Sequence, residues 1–181
     1  MANRAAPLEP PYPADAAAVL ASMTFGMPQP LALFRTIAHN PRVLDRVRRG
    51  GLLDKGSLTL RQREIAILRT TALCGAEYEW GVHVQIFAEA AKFTPAQIAA
   101  TTGARADGAA WPSDEQAILN LADALHENAR IDDALYGELQ GHYSTAQLVE
   151  LVALCGFYHL IAFQIGAFAI ANEPGAPRFP A

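Results

Sequence analysis

The chain has 181 residues, which is enough for one domain with a sizeable hydrophobic core. Its formal net charge of −4 provides no basic face, and this argues against nucleic-acid binding. Hydrophobic residues make up 51% of the chain, with abundant Ala and modest numbers of Val and Ile, and this mixture favours helices over sheet.

The N-terminal residues 1–13 are rich in Pro and Ala and are predicted to form an extended arm. Residues 1–15 contain no continuous apolar core, so no signal peptide is predicted there. The two cysteines, Cys74 and Cys155, are far apart in sequence and form no disulfide framework. Together these features predict a cytoplasmic protein with free thiols.

Residues 14–171 are predicted to form a single all-helical domain. Four segments match the capping box, in which a Ser or Thr caps one backbone N–H and a Gln three residues later reaches back to another; they begin at Thr59, Thr94, Ser113 and Ser144. Apolar residues at helical spacing follow each of them. The predicted helices, in chain order, span residues 14–23, 29–38, 41–48, 59–73, 76–91, 96–101, 113–128, 132–141 and 145–171, with a loop at 102–112 and a Pro-rich tail at 172–181.

The last predicted helix contains the most apolar run of the chain, residues 148–171. Glu150, His159 and Gln164 interrupt this run, and there is one such run. A helix buried in a protein core is therefore predicted rather than a membrane span.

A short internal echo links two parts of the chain. The tetrapeptide Ala-Leu-Cys-Gly occurs at residues 72–75 and again at 153–156, and Tyr78 and Tyr158 follow soon after each copy. The echo is consistent with chance in an Ala- and Leu-rich chain, and equally with a duplicated helix pair.

Three titratable residues, Glu64, Glu79 and His83, fall in an apolar region. Glu79 and His83 are four residues apart and would share one face of a helix. Glu64 would lie about 22 Å from Glu79 along one straight helix, so the three groups can cooperate only if the chain turns back or another subunit intervenes. Gly75 is the natural break. Two helices are therefore predicted, with Glu79 near an N-terminus, where the helix dipole favours negative charge.

Such a triad suits proton transfer. A carboxylate beside an imidazole holds its tautomer and raises its basicity, and a second carboxyl group in an apolar pocket can act as an acid. Tyr78 and Trp80 would offer one aromatic wall, and Tyr158 and His159 a second. The sequence contains no phosphate loop, dinucleotide fingerprint or G-x-S-x-G elbow.

Simpler interpretations of the triad stay open from the residues alone. Glu79 and His83 are also consistent with an ordinary ion pair on a solvated face. Glu64 follows Arg61 and Arg63 and is consistent with a surface charge cluster. A metal site of Glu64, Glu79 and His83 is chemically feasible, but no metal-binding motif supports it.

The aromatic and basic residues also have simpler interpretations. Trp80 is consistent with a core residue, and His159 with a hydrogen-bonded core histidine. A basic run is consistent with a solvated surface, a subunit contact or an anion-binding site; it comprises Arg42, Arg46, Arg48 and Arg49.

Over about residues 31–170 the sequence resembles the carboxymuconolactone decarboxylase family of the AhpD-like superfamily. Two segments carry most of the resemblance: LTLRQREIAILR at 58–69 and GAEYEWGVH at 75–83. Residues 33–41 and 151–158 add to it. The resemblance implies an all-α, AhpD-like fold with a duplicated helical unit, assembled into homo-oligomers, either trimers or hexamers.

The family has two chemical branches. The alkylhydroperoxidase branch carries Glu, then C-x-x-C, then His, and here Glu64 and His83 keep the outer positions. Ala76 and Glu79 occupy the two cysteine positions, so the resemblance implies the branch that lacks the redox motif. A thiol peroxidase using Cys74 is the alternative, and it predicts an exposed thiol with a lowered pKa.

The decarboxylase branch acts on carboxylated lactones from aromatic catabolism, without a metal or organic cofactor. The resemblance implies a lyase or isomerase in which His83 is the general acid/base, Glu79 orients and charge-balances it, and Glu64 carries a second proton or positions the substrate. A small carboxylated substrate would contact five further residues: Arg69, Tyr78, Trp80, Tyr158 and His159. A non-catalytic, oligomeric ligand-binding protein is the other alternative.

Overall fold

The computed structural model describes residues 3–103 and 111–180. Every regular secondary-structure element assigned within these residues is an α-helix, which confirms the predicted all-α class. Most of the predicted loop at 102–112 lies outside the described residues. The helices are α1 (Ala14–Ala21), α2 (Ala32–Ile37), α3 (Pro41–Gly50), α4 (Leu60–Leu73), α5 (Glu77–Phe87), α6 (Pro95–Ala100), α7 (Ser113–Asn128), α8 (Asp133–His142) and α9 (Thr145–Phe168).

Three of the four predicted capping boxes are confirmed. Thr59, Thr94 and Ser144 each accept a hydrogen bond from the backbone N–H three residues later, and the Gln at that position returns one. The prediction at Ser113 is wrong because Ser113 is already the first helical residue and Pro112 occupies the cap position without a side-chain bond. Acidic residues in the first turn of α7 favour its N-terminus instead.

Several helices are shorter than predicted at their ends. α5 ends at Phe87 rather than at 91, and Lys92 shortly after it has a positive φ of 58°. α9 ends at Phe168 rather than at 171, because Ala169 adopts a left-handed conformation and the N–H of Ile170 bonds back to Ile165. These ends depend on local backbone turns that hydrophobic periodicity does not report.

The central element of the fold is α4, which packs against α5, α7 and α9. Its two faces contribute to two apolar clusters. Ile67 lies in a cluster with α1, α2, α3, α5 and part of α9, while Ile65 and Ala66 lie in a cluster with α7, α8 and another part of α9. Glu64 lies on this central helix between Arg63 and Ile65 and is fully buried.

Among the described helices, α9 is the one with the length and composition of a membrane span. Eight of its residues pack into the two cores, among them Leu151, Leu154 and Ile161, as in the core helix of a soluble protein. α9 also runs unbroken through Gly156, whereas Gly75 follows the end of α4, so the two copies of the tetrapeptide echo differ in conformation.

The tail packs on the beginning of α5. Glu77, the first residue of α5, accepts a hydrogen bond from the backbone N–H of Phe179 at 2.9 Å and forms a 2.6 Å ion pair with Arg178. One turn later, Gly81 lies directly under the tail, where a Cβ atom would be 2.3 Å from the carbonyl oxygen of Pro177. Residues 176–179 therefore hold the first two turns of α5 in place.

Candidate active site

A tight turn after α4 brings the distant parts of the site together. The N–H of Gly75 bonds to the carbonyl of Ala72 and the N–H of Ala76 to that of Thr71, which is the Schellman pattern. Gly75 has a φ of +64°, a conformation that glycine adopts without strain. The predicted break is thus confirmed, with Glu64 on α4 and Glu79 and His83 on α5.

His83 is the centre of a buried hydrogen-bonded cluster. Its Nδ1 lies 2.7 Å from Glu64 Oε2, and its Nε2 lies 3.1 Å from the hydroxyl of Tyr158 and 3.5 Å from Glu79 Oε1. The other oxygen of Glu64 accepts a 2.9 Å bond from Arg63. All five side chains are buried and Glu64 is 0% exposed, so the two surface interpretations, a solvated ion pair and a surface charge cluster, are wrong.

The charges of the cluster determine the protonation of His83. Burial by itself lowers the pKa of His83, but the charges and hydrogen bonds of Glu64, and then of Glu79, outweigh it and raise the pKa to about 9. At neutral pH the ring is then an imidazolium, whose N–H groups donate to Glu64 and Tyr158. Burial, followed by the charges of Glu79 and Glu64, raises the pKa of Tyr158 well above its usual value, so its hydroxyl stays protonated.

A cavity of about 430 Å³ lies next to this cluster. Glu79 and Tyr158 line it directly, and Arg48, Arg49 and Asp54 are the other charged residues around it. The remaining walls are largely apolar and include Met23, Phe25, Phe34, Leu52, Phe157 and Ile161. This size and mixture of walls suit a small ligand with a polar end.

Within the cavity, Glu79 has an unused hydrogen-bonding position. Its Oε2 atom is buried and has no hydrogen-bond partner among the described residues. Leaving a buried carboxylate oxygen unpaired is costly, so this oxygen, on a side chain that lines the cavity, marks a place where a ligand donor or a water would bind. His83 and Glu64 lie behind this wall, so the order from the cavity inwards is Glu79 and Tyr158, then His83, then Glu64.

This geometry can move protons between the cavity and the buried cluster. Tyr158 lines the cavity and its hydroxyl contacts His83, so Tyr158 is placed to pass a proton between a ligand and the imidazolium. Glu64 fixes the ring through Nδ1. Arg63, Glu64, His83 and Glu79 carry two positive and two negative charges in these states, so the cluster is neutral as a whole.

Comparisons with known proteins place this site in a family. The sequence model of the carboxymuconolactone decarboxylase family matches residues 40–124, which include Glu64, Glu79 and His83. Over these residues the chain is similar to the carboxymuconolactone decarboxylase family. No curated protein sequence matches it.

Several solved structures share the fold of this chain. A peroxidase-related protein of Silicibacter sp. TM1040 has a TM-score of 0.80 at 14% identity, covering 96% of this chain and 93% of its own. An alkylhydroperoxidase AhpD core protein of Ralstonia eutropha JMP134 has a TM-score of 0.73 at 16% identity, covering 95% and 93%. The debrominase Bmp8 has a TM-score of 0.74 at 18% identity, covering 93% and 91%. At these identities the likeness establishes the AhpD-like fold.

Four of the side chains predicted to bind substrate have other partners. The hydroxyl of Tyr78 contacts Glu173 and the N–H of Leu33. Trp80 donates through Nε1 to the hydroxyl of Thr101 at 2.9 Å. Neither Tyr78 nor Trp80 is among the described residues that line the 430 Å³ cavity. Tyr78 and Trp80 are core residues that fix α5 against its surroundings.

Arg69 and His159 also point away from the cavity. Arg69 is almost fully buried, pairs with Asp123 on α7 and donates to the carbonyls of Thr101 and Gly103. Arg69 therefore holds α4 to α7 and to the segment after α6. The Nε2 atom of His159 is 3.1 Å from the Nδ1 atom of His126, in a separate group of side chains. Of the five predicted substrate contacts, Tyr158 is the one that lies in the cavity wall.

One feature of the site was not recognised from the sequence, and the place of the basic run was left open. Arg63 was grouped with surface charges, yet it is buried against Glu64 and its guanidinium lies 5.1 Å from the ring centre of Phe87. Arg48 and Arg49 line the cavity, whereas the other two arginines of the basic run, Arg42 and Arg46, do not. The position of Arg63 directly before Glu64 did not predict their contact, because neighbouring residues on a helix do not share a face.

Proposed function

We propose that this protein is a cofactor-free acid/base enzyme, a lyase or isomerase that decarboxylates or isomerises a small carboxylated lactone or related acid. The observation that carries the proposal is the unpaired carboxylate oxygen of Glu79, a residue of the cavity wall, next to the Tyr158–His83–Glu64 hydrogen-bond chain. An unpaired hydrogen-bond acceptor next to a chain of protonated side chains suits proton transfer to a bound ligand.

Substrate orientation would follow from the distribution of charge around the cavity. Arg48 and Arg49 are the guanidinium groups in its wall, and they can bind a carboxylate. Both also pair with Asp45, which keeps them oriented. The apolar walls would hold the ring of the substrate, and Glu79 would accept a hydrogen bond from a ring hydroxyl.

In a decarboxylation the bond between the carboxylate carbon and the ring breaks, carbon dioxide leaves, and the electron pair moves into a conjugated carbonyl. Tyr158 would then donate its hydroxyl proton to the ring carbon and take one from His83 Nε2. His83 would be left neutral, and a proton from solvent would restore the imidazolium. One negative charge is lost from the substrate and one appears on the buried cluster, so charge is conserved.

The test is a panel of small carboxylated lactones, first for a ligand-induced rise in melting temperature and then for turnover in deuterium oxide. We expect release of carbon dioxide with one deuterium on the product carbon. Glu79→Gln, Tyr158→Phe and His83→Gln are each expected to lower kcat by about 10²–10⁴-fold. The matched control is Glu115→Gln, which removes a buried carboxylate paired with Arg61, outside the described cavity wall.

Two results would count against the proposal. Full turnover by Glu79→Gln and Tyr158→Phe would exclude the acid/base assignment. Failure of the whole panel to bind would exclude the substrate class.

The thiol peroxidase alternative is not favoured by the surroundings of Cys74. That alternative requires a lowered pKa, but burial raises the pKa of the half-buried Cys74 thiol to about 11. Burial likewise raises the pKa of Cys155 to about 11. We therefore expect the wild type and the Cys74→Ser variant to consume peroxide at the same rate, which would rule out the Cys74 peroxidase.

We also propose that the protein is a homo-oligomer, as its family resemblance implies, and that it is cytoplasmic, as its free cysteines predict. An apolar stripe on α9 supports assembly, since Val149, Val152, Leu160 and Phe163 are all at least 41% exposed. Light scattering on wild type and Phe163→Glu would test it, because a monomeric wild type excludes assembly and a monomeric variant locates the contact.

A further inference from the structure

A second group of reactive side chains lies where three helices meet, outside the described wall of the cavity. Cys74 caps the end of α4, His126 is in the last turn of α7, and His159 is in the middle of α9. The Cys74 sulfur and the two imidazole nitrogens all lie within 4.8 Å of one another. Cys74 is 52 positions from His126, and His126 is 33 positions from His159, so no short sequence motif predicts the group.

Two distances within the group are close to those around a tetrahedral metal ion. Cys74 Sγ is 3.8 Å from His126 Nδ1, and His126 Nδ1 is 3.1 Å from His159 Nε2. Around tetrahedral zinc, with bonds of about 2.3 Å to sulfur and 2.0–2.1 Å to nitrogen, two ligand nitrogens lie about 3.3 Å apart and a sulfur and a nitrogen about 3.6 Å apart. These two distances need shifts of a few tenths of an ångström, and the third pair of ligand atoms, which lies within 4.8 Å, would have to close by up to about 1.2 Å.

The orientation of His159 is an independent observation that points to a ligand. Its Nδ1 lies 2.8 Å from the carbonyl oxygen of Cys155, so the ring donates its Nδ1–H there and keeps a lone pair on Nε2. Metal-binding histidines commonly have this backbone contact, which fixes the tautomer and aims the free nitrogen at the ion. That nitrogen faces the other two side chains of the group.

We propose that Cys74, His126 and His159 form a binding site for a divalent ion of the zinc type, with a fourth position open to water. One thiolate and two imidazoles are ligands that zinc prefers, and three protein ligands plus an open position is the arrangement of solvent-accessible zinc sites.

Binding requires changes of protonation that balance. The Cys74 thiol loses its proton to solvent as the sulfur–metal bond forms, because a coordinated thiol is deprotonated. Without metal, His126 Nδ1–H donates to His159 Nε2; on binding, the His126 proton moves to Nε2 and both facing lone pairs reach the metal. One proton is thus released for each metal ion bound.

The experiment titrates the reduced full-length protein with Co²⁺ as a spectroscopic probe, followed by displacement with Zn²⁺. We expect one equivalent to bind, with a thiolate-to-cobalt charge-transfer band and the strong visible bands of tetrahedral cobalt. Cys74→Ser should abolish the charge-transfer band, and His126→Ala should weaken binding at least about 10-fold. The matched control is His142→Ala on α8, another exposed histidine, which should bind like wild type.

Absence of cobalt binding by the wild type would overturn the proposal, as would an unchanged spectrum in the His126→Ala variant. Loss of cobalt binding in His142→Ala would indicate that exposed histidines bind the metal adventitiously, and this result would overturn the proposal too. If Cys74→Ser fails to fold, His126→Ala still decides, since His126 is exposed and its removal leaves the core intact. The proposal is independent of the acid/base function, because none of these variants changes a described residue of the cavity wall.

Discussion

Replacing Glu64 with Gln should change the pH dependence of stability. Glu64 is fully buried, lies 2.7 Å from His83 Nδ1 and makes the largest contribution to raising the pKa of that ring. Glu64→Gln keeps the shape of the side chain but removes its charge. The pKa of His83 should therefore fall towards or below 6.5, since burial opposes the charged form and Glu79 alone remains to support it.

The magnitude follows from the pKa of His83 in the wild type. A rise from 6.5 to about 9 corresponds to about 3 kcal/mol, because each pKa unit is worth about 1.4 kcal/mol. The folded state favours the protonated ring, so this stabilisation is fully present below pH 6.5 and is lost as the pH rises through about 9. The free energy of unfolding of the wild type should fall by this amount over that interval, and the fall should be much smaller in Glu64→Gln.

Urea unfolding followed by circular dichroism at several pH values between about 6 and 9.5 measures this fall, and NMR titration of the ring protons gives the pKa itself. Glu115→Gln is the matched control, because Glu115 is a buried carboxylate whose partner is Arg61 rather than a histidine. It should lower stability at every pH without changing the pH dependence. A wild-type profile that is flat from pH 6.5 to about 9, or the same fall in Glu64→Gln as in the wild type, would refute the reasoning.

Three further changes test the scaffold. Gly81→Ala should destabilise the fold by about 1–3 kcal/mol, because its Cβ would meet the Pro177 carbonyl at 2.3 Å; an unchanged melting temperature would contradict this contact. Arg69→Met should cost about 1–3 kcal/mol, because it leaves the carbonyls of Thr101 and Gly103 and the partly exposed carboxylate of Asp123 without their donor, yet ligand affinity measured by calorimetry below the melting transition should hold. Ser144→Ala should cost about 1 kcal/mol in urea unfolding and Ser113→Ala almost nothing, since Ser144 alone of the two caps its helix; equal costs would show otherwise.

The parts of the site that were predictable from sequence depend on local rules. Thr59 marks the start of α4 through its capping box, and Gly75 marks the turn through its conformational freedom. Helical spacing then places Glu79 and His83 on one face. These three rules suffice to bring Glu64 to His83.

What the sequence did not reveal depends on contacts between distant helices. Helical periodicity indicates that Arg69 is on α4, but not that Asp123 and two backbone carbonyls will engage its guanidinium. It likewise does not indicate that Tyr158 approaches His83 across 75 positions while His159, its neighbour, approaches His126 on another side of α9. Adjacent residues on a helix point in directions about 100° apart, so their environments separate only once the packing is known.

The contacts between the tail and α5 affect when and where the site can form during synthesis. Glu79 is held in the first turn of a helix whose starting residue, Glu77, is tied to Arg178 and Phe179. These late residues must therefore have left the ribosome before this wall of the cavity acquires its final shape. For the same reason, an affinity tag fused close behind residue 180 would disturb the cavity wall by displacing the tail from Glu77. A tag placed before the N-terminal arm would leave the contacts between the tail and Glu77 in place.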